Sequence, residues 1–258
     1  MNVLAIGDLV GPAAATYLGQ RLPDLRREHD LDLVIANAEN VAITGDHPNR
    51  GFGLTLDLVD LVLAAGVDLI TTGNHGWDGP EAATVHRHPR VLRPLNVPDT
   101  RPGKGIASLE VAGETVSVVN LASERGMLPD AEPVYPTWRS LRHNGTAIVD
   151  FHGDSAWEKM IFAAAIDGEA AAVIGTHTHE PTLNLHLLPG GIAFVADVGM
   201  TGPFGFPGGF PLTHFAASYR GESSRDLPPF AVAAGPMVLG AVLLQIEGGK
   251  TRAISRIT

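Results

Sequence analysis

The sequence predicts an α/β layered domain with mixed sheets, and three observations carry that expectation. Short runs of strand length that are apolar throughout recur along the chain, segments with helical spacing lie between several of them, and Gly-containing turns join others at short range. A strand apolar on both faces belongs in a sheet covered on both sides, as when helices pack over parallel strands. A connection of two or three residues permits only antiparallel pairing, so the sheets must be mixed.

In chain order the strand-like runs fall at residues 3–6, 33–36, 68–71, 115–121, 146–151, 171–174 and 192–195. Helical spacing marks residues 17–29, 55–65 and 155–167. Ala112-Gly113-Glu114, Pro189-Gly190-Gly191 and Glu247-Gly248-Gly249 are the hairpin signals. Two stretches, residues 41–54 and 198–211, are too rich in Gly, Pro and polar residues to be core elements. Long loops in a compact domain are commonly functional, so both are candidate walls of a substrate cleft. No repeat, linker or low-complexity segment interrupts the chain, and one domain over residues 1–258 is expected.

With 258 residues, 45% of them hydrophobic, the chain can bury an ample core. A formal net charge of −10 argues against a non-specific nucleic-acid or membrane-surface binder, which needs a basic face. A small anionic substrate would then need local positive charge, which a metal can supply. The absence of cysteine excludes disulfides and thiolate metal sites, leaving imidazole, carboxylate, amide or water as ligands. No signal peptide is apparent at the start, and no apolar run reaches the roughly 20 residues a bilayer requires. The expectation is a soluble, cytoplasmic protein, with a homo-oligomer left open.

Gly175-Thr176-His177-Thr178-His179 follows an apolar run, and two imidazoles one residue apart can share a cleft where a strand runs out. Other runs end in the same manner: Asp8 after the first, Glu39 and Asn40 after the second, Asn74 and His75 after the third, and His152 after residues 146–151. In open α/β sheets sites form beyond the carboxyl ends of strands, so these groups can converge. Two carboxylates, two amides and three or four imidazoles suit two divalent ions of the manganese, iron or zinc kind, and are too nitrogen-rich for calcium or magnesium alone. Singly, each has an ordinary explanation: Asp8 as a helix cap, Asn74 as a turn residue, His152 as a backbone-satisfied core histidine, Glu39 as a solvated charge. Jointly, those explanations leave the recurrence after each apolar run unaccounted for. His29, His47, His86, His88, His143, His186 and His214 are expected at the surface, with His47 and His214 as partial exceptions because they fall in or beside the two long loops; Arg50 is expected there too, with a phosphate contact as its alternative. Gly-x-Gly-x-x-Gly and Gly-x-Ser-x-Gly are both missing, so a nucleotide cradle and a serine hydrolase lack support.

The ordered motifs Ile6-Gly7-Asp8, Ala36-Asn37-Ala38-Glu39-Asn40, Gly73-Asn74-His75-Gly76-Trp77-Asp78, Val149-Asp150-Phe151-His152, Glu158-Lys159, Gly175-Thr176-His177-Thr178-His179 and Asp197-Val198-Gly199-Met200-Thr201-Gly202-Pro203 resemble the calcineurin-like metallophosphoesterases and, more narrowly, the YmdB-like phosphodiesterases. The resemblance implies a four-layer α/β/β/α sandwich. It implies that Asp8, Glu39, Asn40 and His179 bind one ion and that Glu39, Asn74, His152 and His177 bind the other, with Glu39 bridging and His75 as proton donor. Many relatives carry Asp-x-His at the first strand end, where this chain has Val10; the amide oxygen of Asn40 would replace the missing imidazole.

Two ions about 3.5 to 4 Å apart activate a bridging water and neutralise charge on the phosphoryl oxygens, which is what ester hydrolysis needs. The resemblance points to a small-molecule phosphodiester, a 2′,3′- or 3′,5′-cyclic nucleotide. Residues 41–54 and 121–127 depart from the family pattern, which keeps a phosphomonoesterase of a small metabolite as the alternative. A metal- or nucleotide-binding regulator with little turnover and a metal-assisted amide or lactone hydrolase are the other readings. His75 speaks against a pure binder, which has no use for a proton donor.

Overall fold

The computed structural model describes residues 1–43, 52–125, 128, 130–205, 207–210, 212–223, 227 and 230–257. The element order is β1 (Asn2–Ile6), α1 (Pro12–Glu28), β2 (Leu33–Asn37), α2 (Leu56–Ala64), β3 (Leu69–Thr71), a 3₁₀ turn (Asn74–Trp77), α3 (Ala82–Val85), β4 (Ile106–Val111), β5 (Glu114–Ala122), α4 (Val134–Ser140), β6 (Thr146–His152), α5 (Ala156–Ala165), β7 (Ala172–Thr176), β8 (His186–Leu187), β9 (Ala193–Val195), β10 (Gly202–Pro203), α6 (Leu212–Tyr219), β11 (Met237–Val238), β12 (Ala241–Glu247) and β13 (Lys250–Ile257).

Five strands form one sheet in the order β13-β12-β1-β2-β3, six form a second in the order β4-β5-β6-β7-β9-β8, and β10 pairs with β11. Both large sheets are mixed: β1, β2 and β3 run parallel, as do β5, β6, β7 and β9, while β12, β13, β4 and β8 pair antiparallel. All three expected hairpins therefore form.

The layers follow from the period-2 alternation of strand side chains. Leu4, Ile6, Val34, Ala36 and Leu243 pack outward against Leu18, Leu22, Leu25, Val59 and Val62 of α1 and α2. Their neighbours Val3, Ala5, Leu33, Ile35, Val242 and Leu244 face Val116, Val118, Ile148, Ala172, Ile174 and Val195 of the second sheet. That sheet turns Val119, Leu121, Val149, Phe151, Val173 and Phe194 to Trp138 and Phe162 of α4 and α5. Helix, sheet, sheet and helix are thus stacked as expected.

Three local expectations are corrected. Helix α1 begins at Pro12 rather than residue 17, because a proline at the first helical position gives up an amide that has no intrahelical partner there. The described part of residues 198–211 is not peripheral: Val198, Met200, Thr201 and Phe210 are buried, since Leu9 bridges to Thr201 and draws this segment under the end of β1. His86 is 1% exposed rather than superficial, held by the Ala82 carbonyl at 2.8 Å and stacked on Trp77 with ring centroids 4.1 Å apart. Residues 44–51, with His47 and Arg50, lie outside the described residues, as do Gly126 and Met127.

Candidate metal centre

Because both sheets turn the carboxyl ends of their parallel strands to the same region, the polar residues that follow β1, β2, β3, β6 and β7 meet there. Gly7 lets β1 pass close to the following segment, where a Cβ would collide with the Gly199 carbonyl. Gly73 does the same after β3, where a Cβ would fall inside the His152 ring. Asp8, Glu39, Asn40, His152 and His179 are all buried.

His152 is the hub of one group. Its Nε2 lies 2.9 Å from Asn74 Oδ1, 2.9 Å from Glu39 Oε1 and 3.0 Å from His177 Nδ1. A single ring N–H can satisfy only one of those three atoms. Glu39, His152 and His177 offer ligand atoms within 4.8 Å of one another, the spacing of a cation site. The second group is Asp8, Asn40 and His179: His179 Nε2 is 3.8 Å from Asp8 Oδ1 and 3.0 Å from the Asn40 amide nitrogen. Val10, in contrast, is sealed among Ile43, Met200 and Phe210.

The donor set can be tested for a metal on its own chemistry. Asp8 Oδ1 and Asn40 Oδ1 are buried oxygens without a hydrogen-bond partner, and buried Glu39 Oε1 has its closest approach in His152 Nε2 at 2.9 Å. Each such orphan costs about 1–3 kcal/mol unless something binds it. These three oxygens beside converging imidazole nitrogens fit divalent cations and fit little else.

Bonds behind the donors orient them. His152 Nδ1 meets Thr176 Oγ1 at 3.0 Å, and that hydroxyl donates to Asp150 Oδ1 at 2.7 Å. Asp150 also accepts the Thr71 hydroxyl from the other sheet. His179 Nδ1 donates to the Gly208 carbonyl at 2.7 Å, which leaves Nε2 as its acceptor. His75 sits at the rim, its amide donating to Glu39 Oε2 at 2.9 Å, its Nδ1 2.9 Å from Asp78 Oδ2 and its ring against Phe52 at 3.9 Å. His177 Nε2 reaches Asp154 Oδ1 at 2.9 Å.

The electrostatics are those of clustered acids around imidazoles. Burial raises the Glu39 carboxyl, but the facing His152 and the His75 amide outweigh it and hold Glu39 at about 2. Burial lowers His152, and Glu39, Asp8 and Asp150 overcome that to lift it to about 9. Burial and the neighbouring His152 push His177 down to about 4. Asp150 is raised to about 6 by burial, against the pull of Thr71, His152 and Thr176.

The His-x-His turn is backbone-strained, with φ of 103° at His177 and 63° at His179. Non-glycine residues held there cost about 1–3 kcal/mol each and persist only where the surroundings impose them. A cleft of about 220 Å³ opens beside the centre, lined by Asn40, His75, His177 and His179 together with Phe52, Phe210 and Phe215. Phe52 and Phe210 come from the two long loops, so their described parts do wall a cleft.

Every metal-capable residue expected from the sequence reaches this centre, and His75 lies at its edge. Sequence reasoning missed roles for Asp78, Asp150, Asp154, Thr176 and the Lys159–Asp197 pair. Asp150 had a signal, since it stands two residues before His152 in a strand and shares its face.

The match to known proteins agrees with this geometry. The family model described as YmdB-like protein matches residues 4–257. The chain is 32% identical over 260 residues to the 2′,3′-cyclic-nucleotide 2′-phosphodiesterase of Bacillus subtilis (strain 168), covering 98% of this chain and 94% of that protein. A hypothetical protein from Thermus thermophilus superposes with a TM-score of 0.88 at 38% identity, over 100% of this chain and 98% of that one. A phosphatase from Mycoplasma pneumoniae gives 0.89 at 29% identity, over 100% and 92%. With its motifs, layers and near full-length match in agreement, this chain belongs to the YmdB-like protein family.

Proposed function

We propose that this phosphoric ester hydrolase is a binuclear metal-dependent phosphodiesterase acting on a small cyclic nucleotide, of the 2′,3′ type named for its Bacillus subtilis relative. What supports the reading is a pair of neighbouring donor groups, Glu39, Asn74, His152 and His177 in one and Asp8, Asn40 and His179 in the other, which approach where Asp8 Oδ1 lies 3.9 Å from His152 Nδ1; Glu39 would bridge them, as the resemblance implies. Two cations would be held there, with iron or manganese favoured by the mixed oxygen and imidazole donors and zinc compatible with them. When bound, two such ions supply an activated water and neutralise charge on the phosphoryl group. The proposal places one domain in the cytoplasm, acting on a small-molecule ester rather than a nucleic acid. Among the described residues no helix is long and apolar enough to cross a membrane.

The chain's own residues then have separate tasks. Glu39 is oriented by the His75 amide, which ties the acid-bearing turn to the centre. Asp78 takes Nδ1 of His75, so Nε2 is the nitrogen left to carry a proton to a departing alkoxide. Asp78 also accepts the Phe52 amide at 3.1 Å, anchoring the cleft wall to the same carboxylate. Asp78→Asn is expected to lower kcat about 10- to 100-fold with KM and metal content unchanged, as loss of an orienting partner does; steady-state kinetics on metal-analysed protein checks it.

Hydrolysis of 2′,3′-cyclic AMP and of p-nitrophenyl phosphate, each with Mn²⁺, tests the function. Turnover of the diester at the higher kcat/KM supports the proposal. Turnover of the monoester alone turns the reading to the phosphatase activity named for the Mycoplasma pneumoniae relative, and turnover of neither with any divalent metal removes the enzyme reading.

Metal uptake carries a pH signature. Ligation needs a neutral imidazole, while His152 in the metal-free chain holds its proton up to about pH 9. Loading at pH 7 is therefore expected to expel close to one proton from His152 and none from His177, already neutral above about pH 4, in addition to the proton given up by a water activated at the ions. Affinity for Mn²⁺ rises with pH and levels off above the His152 value. Calorimetric titration in two buffers of different ionisation enthalpy measures the proton count.

A further inference from the structure

We infer that Lys159 and Asp197 are positioning residues for the metal centre: a buried ion pair that grips the strained His177-Thr178-His179 turn from behind. Lys159, on α5, is 1% exposed and is a cation that none of the proposed chemistry uses. Its Nζ donates to the carbonyls of Thr176 at 2.7 Å and Ala196 at 2.8 Å and lies 3.6 Å from Asp197 Oδ2. Asp197 in turn accepts the Thr178 amide at 2.9 Å and the Gly199 amide at 2.8 Å. The pair therefore holds the residue before His177, the amide between the two histidines, and the segment that Met200 ties to the His179 carbonyl at 3.1 Å.

A lysine with two carbonyl acceptors and a carboxylate with two amide donors make the bonds of their charged forms. Burying that pair is a poor way to stabilise a fold, since an apolar pair of similar volume commonly does as well or better. Its placement has a geometric reason: positive φ at two non-glycine residues persists only if the surroundings over-determine it. Gly175 makes room, for a Cβ there would strike the Ala196 carbonyl and crowd the Lys159 stem. The pair thus presets the conformation in which His177 Nδ1 and His179 Nε2 face the two donor groups.

This inference rests on the metal-centre reading, and its test separates the two. Mn²⁺ affinity is measured by chelator competition on wild type, Lys159→Met, Lys159→Gln, Asp197→Asn and Leu22→Ala, each also followed by thermal unfolding with and without Mn²⁺. Leu22, on the core-facing side of α1, packs in a cluster that holds none of the proposed ligands and supplies a matched loss of stability. The expected result is an affinity about 10- to 100-fold weaker for Lys159→Met and Asp197→Asn. A smaller loss is expected for Lys159→Gln, which can still donate to a carbonyl, and less than twofold for Leu22→Ala. The rise in melting temperature on adding Mn²⁺ shrinks in the first two variants and is kept in Leu22→Ala. Wild-type affinity in either Lys159→Met or, should that variant not fold, Asp197→Asn overturns the inference, as does an equal loss in Leu22→Ala. Wild type that binds no Mn²⁺ overturns the metal-centre reading itself.

Discussion

His75→Ala is expected to lower turnover of 2′,3′-cyclic AMP by about 10²- to 10⁴-fold, the range for removal of a positioned general acid, with metal content and thermal stability at wild-type levels. The reasoning is geometric. His75 shares its turn with Asn74, gives its amide to Glu39 and has Nδ1 engaged by Asp78, so the ring is indexed to the centre without belonging to either donor group. An alkoxide leaving group needs a proton as its bond breaks, whereas p-nitrophenolate departs almost unaided. The same variant should therefore lose far less activity on bis-p-nitrophenyl phosphate than on the cyclic nucleotide. Equal losses on both esters would assign His75 to binding or charge stabilisation, and a variant depleted of metal would make it a ligand.

Glu39→Gln removes the carboxylate proposed to bridge the two donor groups, and its expected consequence is metal content reduced from the proposed two ions to at most one per chain with more than 100-fold loss of activity, beyond the roughly 10- to 100-fold typical of an orienting residue. Glu39 is 0% exposed and held at about 2, so it stays ionised across any accessible pH. The amide cannot reproduce that charge or present two equivalent oxygens. In the metal-free chain the same change removes the main partner that raises His152 from its ordinary range, so the His152 proton is lost at lower pH. Elemental analysis of the purified variant and an NMR titration of His152 read the two effects separately.

The residues that make the centre were legible because each stands just after an apolar strand, where a polar side chain has no packing reason to be. Asp8, Glu39, Asn74, His152 and His177 all fit that rule. The layers were legible for the same reason, since residues such as Leu4 and Val3 are apolar on both faces of one strand. What stayed hidden depends on partners distant in sequence. The burial of Asp150 becomes tolerable through the Thr71 and Thr176 hydroxyls and the Asn37 amide, and that of Lys159 through two carbonyls and the Asp197 carboxylate. His86 looked like a polar helix-end residue because nothing near it announces the Trp77 face it stacks on, or the Arg101 guanidinium 5.0 Å from that same indole. Short elements such as α3 and β10 have too few residues to show a period at all.

Every proposed ligand has been reached by His179, but β1, which leads to the first of them, is flanked on one side only, by β2, until β12 arrives at Ala241–Glu247 and pairs with its other edge residue by residue from Asn2 to Ile6. During synthesis the polypeptide would thus hold all its donor atoms long before it has a finished scaffold to aim them. Competence to bind metal would in this sense wait on the arrival of β12: a fragment ending near Pro203 would possess the whole proposed ligand roster, yet expose a raw strand edge and capture metal poorly.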